Sequence, residues 1–62
     1  MVSCDDIPEG VLGNVNFDLF IEFLARMVPN RGDRKVLGRC WSQQSGVKLT
    51  FDMWGQILNA GS

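Results

Sequence analysis

Ten consecutive residues of this chain return once, further along. Val15-Asn16-Phe17-Asp18-Leu19-Phe20-Ile21-Glu22-Phe23-Leu24 is matched by Leu49-Thr50-Phe51-Asp52-Met53-Trp54-Gly55-Gln56-Ile57-Leu58. Phe, Asp and the final Leu repeat identically, and most other pairs repeat in character. Only Ile21 against Gly55 breaks the pattern. Such a repeat in 62 residues points to two copies of one supersecondary unit, each starting as a short extended segment and continuing as a helix.

The length allows one domain. A chain of this size buries only about 60% of the surface that its unfolded form exposes, so its stability is marginal. The hydrophobic fraction of 45% is that of a globular domain. The net charge of −1 hides an asymmetry. Residues 1–25 carry Asp5, Asp6, Glu9, Asp18 and Glu22 and no base. Residues 26–48 carry Arg26, Arg31, Arg34, Lys35, Arg39 and Lys48 against Asp33 alone. The two halves can pair with each other or steer a partner, against the plainer reading of solvated faces.

Cys4 and Cys40 are the two cysteines. The first ten residues show neither a basic start nor a long apolar run, so the expectation is a cytoplasmic protein with reduced thiols. A Cys4–Cys40 bridge is the alternative. No apolar run approaches the roughly 20 residues of a membrane span, so no membrane partner is expected.

Residues 1–12 read as a flexible leader, with at most a single turn near Asp5–Glu9. Residues 13–60 read as the domain. Asn16 is a plausible N-cap, and Phe17, Phe20, Ile21, Leu24 and Val28 follow helical spacing until Pro29 ends the helix. Leu19, Phe23 and Met27 widen the apolar stripe to most of the circumference, which calls for packing on more than one side. Asn30–Asp33 reads as a turn, with Asp33 capping a second helix over Arg34–Ser42. Gln43–Gly46 is a loop, and Val47–Leu49 a short extended segment. Thr50 caps a third helix to about Asn59, with Gly61 marking its end.

The repeated unit resembles the exiting half of an EF-hand: a small-residue turn, a short β segment with one branched aliphatic residue, and a helix opened by an aromatic. Gly13–Met27 is similar to a calmodulin loop end and exit helix, and Leu49–Trp54 to a second. The resemblance implies an all-α, three-helix EF-hand-like module with a short β pairing between the two loops, through Val15 and Leu49. It also implies departures. With Gly13 at the turn position, the early ligand places fall on Pro8, Gly10 and Leu12, and the closing carboxylate falls on Leu19. In the second copy they fall on Ser42, Gln44 and Gly46, with Val47 at the turn position and Met53 at the closing one. A hard cation needs oxygen ligands that these residues lack, so neither calcium nor any other cofactor is expected. The first entering helix has no counterpart in residues 1–7, so the expectation is either a truncated form or a partner that supplies apolar surface to the flanks of Phe17–Val28. Calcium-blind EF-hand pairs of this kind occur in myosin light chain lobes and in the C-terminal region of α-actinin and spectrin. Both are cytoskeletal, and both hold a helix from another chain.

The functional expectation is therefore capture of a partner's amphipathic helix in a groove between the first and third helices. Phe23, Met27, Met53 and Ile57 are expected to give contact area, and Arg34, Lys35 and Arg39 a charged rim. A homodimer that covers the first helix is a second reading. A small helix-turn-helix nucleic-acid binder, using the basic edge Arg31, Arg34, Lys35 and Arg39, is a third. Arg31-Gly32-Asp33 spells an integrin-type tripeptide, but the turn-and-cap reading is preferred. Catalysis is not expected. The chain has no His and no Tyr, and no zinc-type cluster or phosphate loop.

Overall fold

The computed structural model describes Cys4, Pro8 and residues 10–60. It is all-helical: α1 spans Phe17–Met27, α2 Arg31–Ser45 and α3 Phe51–Asn59. Each helix begins on a side-chain cap that accepts from the backbone N–H three residues on: Asn16 from Leu19, Asn30 from Asp33 and Thr50 from Met53. An acidic residue lies in each first turn (Asp18, Asp33 and Asp52), where the helix dipole favours negative charge.

Asn16 and Thr50 cap as the sequence predicts, and α1 closes at Val28, just before Pro29. The second helix is longer than expected at both ends. Asn30, not Asp33, is its cap, because the Asn30 side chain reaches the Asp33 amide at 3.2 Å. Arg31-Gly32-Asp33 is thus a first helical turn, not a displayed loop. At the other end the helix runs on to Ser45 and stops at Gly46, whose φ of 77° lies in the left-handed region that favours glycine. α3 ends at Asn59, as expected; Gly61 and most of the turn expected near Asp5–Glu9 lie outside the described residues.

The β pairing of Val15 with Leu49 does not form, and no strand occurs among the described residues. Val15 has other work for its carbonyl, which accepts from Trp41 Nε1 at 2.7 Å. The segment after α2 is likewise held by side chains, with Ser42 Oγ donating to the Val47 carbonyl at 2.6 Å.

The core consists of Leu12, Phe20, Leu24, Val28, Leu37, Cys40, Trp41 and Ile57. Trp41 organises one end. Its ring stacks on Phe20 with centroids 5.6 Å apart and meets Phe17 at 5.4 Å. Its N–H then fixes the chain just before α1, so the buried indole leaves no polar group unpaired. Gly38 sets the approach of α3. A Cβ there would stand 3.0 Å from Ile57 Cδ1 and 3.1 Å from Trp54 Cζ3, so a larger residue would push those side chains outward by a few tenths of an ångström.

Two parts of the expected leader belong to this core. Leu12 is buried, and its amide donates to Gln44 Oε1 at 3.3 Å. Cys4 is bridged to the fully buried Cys40 across 36 positions of sequence. The thiols expected to be reduced are joined, and both cysteines are used. Closing a loop of this length removes roughly 4 kcal/mol of unfolded-chain entropy, a large contribution for a domain of this size.

Candidate functional site

At the opposite end from Trp41 sits Arg34, 5% exposed. Its guanidinium donates to four backbone carbonyls. Nη1 reaches Val28 at 3.1 Å and Pro29 at 2.7 Å, Nε reaches Ile57 at 3.1 Å, and Nη2 reaches Leu58 at 2.7 Å. These carbonyls close the C-terminal ends of α1 and α3. A planar cation with a fork of donors suits this task, and a positive charge at two negative dipole ends is favourable. The helix directions follow. The start of α2 meets the ends of α1 and α3, while its later residue Trp41 meets Val15 before α1. So α2 runs against the other two helices.

Arg34 was expected on a charged rim, and the structure contradicts this. The reason lies in helical spacing. Arg34 precedes Leu37 by three positions, Gly38 by four and Trp41 by seven, so it shares the buried face of α2. Ile57 is likewise no contact residue, because it is fully buried between α2 and the rest of the core. Met53 is half-buried and lines a hollow with Val15, Phe17, Trp41 and Val47, to which neither Phe23 nor Met27 contributes.

Phe23 and Met27 are where a partner can reach them, 45% and 68% exposed. Leu19 joins them at 56%. These three stand at i, i+4 and i+8 of α1, so they form one outward row beside the buried Phe20 and Leu24. Leu19 was legible as part of this row, since the spacing is in the sequence. Glu22 and Arg26 flank it and pair at 2.9 Å, a solvent-exposed pair that contributes little to stability.

Lys35 and Arg39 are exposed, as a rim requires, and Arg31 stands in line with them at i, i+4 and i+8 of α2. Beside Arg39 a half-open groove of about 440 Å³ is lined by Val36, Leu49, Trp54 and Cys4 among others, with no residue of α1. The basic row and the apolar row are thus separate features. One further apolar side chain stands out: Phe51, the first residue of α3, is 95% exposed. Nothing in the sequence separates it from its repeat partner Phe17, which packs on Trp41.

Among the described residues no group of His, Cys, Asp and Glu side chains is placed to hold a metal ion. No helix among them is long and apolar enough to cross a membrane. A scan against protein-family models finds no match, and comparisons with curated proteins and with solved structures find none either.

Proposed function

We propose that this chain is a calcium-independent protein-interaction module that captures an amphipathic helix of a partner on α1. The observation that carries this reading is the exposed row Leu19, Phe23 and Met27. A row of large apolar side chains on consecutive turns is half of a helix–helix interface, and the knobs of a partner helix fit between its members. Phe23 and Met27 give the contact area. Met53 and Ile57 support the fold beneath. The kinship with degenerate EF-hands rests on the sequence pattern of residues 13–27 and 49–54, and calcium independence rests on Leu19 and Met53 at the closing positions. The module acts by binding and not by catalysis. The sequence start suggests a cytoplasmic setting with reduced thiols, and the resemblance a cytoskeletal one; the Cys4–Cys40 bridge favours an oxidising compartment instead.

The test is NMR titration of the oxidised protein with an uncharged amphipathic helix, Leu on one face and Gln on the other. Saturable shifts confined to the Leu19–Met27 face, weakened about tenfold or more in a Phe23→Ser, Met27→Ser double variant, would support the proposal. Shifts that survive that double substitution, or no shifts in a variant-independent way, would sink it. Millimolar calcium is expected to move no resonance.

A further inference from the structure

The basic row of α2 and the groove beside it form a surface distinct from α1. Arg31, Lys35 and Arg39 are exposed at one-turn intervals. Among the described residues no carboxylate pairs with them; the ion pair found there is Glu22 with Arg26. The three cations therefore lie along two turns of one helix, a line of about 12 Å. At one end of this line Arg39 borders the groove, whose apolar wall is Val36, Leu49 and Trp54, all half-buried. A volume of about 440 Å³ admits a few side chains.

We propose that this face is a second docking surface, and that its ligand is an acidic amphipathic helix. Charge and spacing argue for that occupant. A helix laid along α2 has the same rise, so carboxylates at i, i+4 and i+8 meet Arg31, Lys35 and Arg39 in turn. Guanidinium groups at two of the three places suit carboxylates, which they bind through paired hydrogen bonds. The ligand's apolar residues then enter the groove against Trp54 and Leu49. Nucleic acid shares the negative charge but fits the rest poorly. The chain's net charge is −1, and Asp18, Glu22 and Asp52 are exposed on its other helices. With one row on α1 and another on α2, the molecule can join two helices. The α2 surface stands or falls separately from the α1 reading, because each is built from its own residues.

The experiment uses the full oxidised chain and two synthetic peptides. One carries Glu at i, i+4 and i+8 with Leu on the adjoining face, and the other carries Gln in place of Glu. Binding is followed by NMR at the Trp54 indole N–H and at the amides of Val36 and Arg39. The Glu peptide is expected to saturate these signals, and the Gln peptide to bind about tenfold more weakly or worse. A Lys35→Glu, Arg39→Glu double variant is expected to lose about tenfold or more in affinity, with its helical circular dichroism unchanged. A Gln56→Ala variant, on the exposed side of α3, is expected to bind the Glu peptide as the parent does. Four results would overturn the proposal: no binding of the Glu peptide, equal binding of both peptides, indifference to the charge reversal, or a single-stranded oligonucleotide that occupies the same signals more tightly than the Glu peptide.

Discussion

The two copies of the repeat, α1 and α3, begin alike and are buried differently. Asn16 and Thr50 cap in the same manner, each accepting from the amide three residues later. Beyond the cap they diverge. Phe20 and Leu24 are fully buried in α1, while their counterparts Trp54 and Leu58 are only half-buried in α3. Phe23 is exposed, while its counterpart Ile57 is fully buried. Phe17 packs on Trp41, while Phe51 stands in solvent. The inward face of α3 is thus turned relative to that of α1 by about one residue's arc, roughly 100°.

The cause lies in what each helix meets. α1 is met by Trp41 of α2, which packs on Phe17 and Phe20, with Leu12 in the same core. α3 approaches α2 at Gly38, where the missing side chain admits Ile57 and Trp54. The packing surface opposite, rather than the helix's own pattern, selects which stripe turns inward. A sequence repeat therefore predicts that two helices form and where they start, but not which side each one buries.

Arg34 bonds to the ends of both copies, and its removal has the largest expected effect. Arg34→Met takes the guanidinium donors from the Val28, Pro29, Ile57 and Leu58 carbonyls, leaving Ile57 the long bond from the Ala60 amide, at a cost of roughly 3–5 kcal/mol. For a domain whose whole stability is on the order of 3–9 kcal/mol, urea denaturation followed by circular dichroism should show a largely unfolded or barely folded variant. Arg34→Lys should recover only part of the loss, because an ammonium lacks the planar fork. If α1 and α3 were held independently of each other, Arg34→Met would melt in two separate steps rather than one.

Next in size is the exchange between Ile57 and Phe23, which tests the rotation itself. Ile57→Ala should cost about 2–5 kcal/mol, as a fully buried aliphatic side chain does. Phe23→Ala should change stability by about 0.5 kcal/mol or less, although Phe is the larger residue. Equal losses at the two positions would mean that both copies bury the same face.

The smallest effect sharpens what the copies share. Asn16→Ala and Thr50→Ala should each cost about 1 kcal/mol, since each removes one hydrogen bond to an otherwise unpaired amide. Similar values would show that the two starts are energetically equivalent. A cost at Thr50 several times that at Asn16 would mean that α3 depends on its cap in a way that α1 does not.

Much of this fold can be read without coordinates. The caps Asn16 and Thr50, the stop near Pro29 and the all-helical class follow from local chemistry, because capping and proline act within a few residues of themselves. The outward row Leu19, Phe23 and Met27 was also legible, as the surplus of an apolar stripe too broad for one neighbour. The start of α2 is not legible from local chemistry, since Asn30 and Asp33 are both good caps and the structure uses Asn30. The β pairing failed because a distant indole claimed the Val15 carbonyl.

The sequence by itself determined three helices, their order and two of their starting points, through interactions that span one turn. Tertiary structure alone decided the rest: the turn of α3 relative to α1, the burial of Arg34 and the bridge from Cys4 to Cys40. Each of those rests on atoms brought together from separate helices or segments, as in Arg34 with Ile57, 23 positions apart. A local pattern sets what a side chain is able to do, and only the neighbour supplied by folding sets what it does.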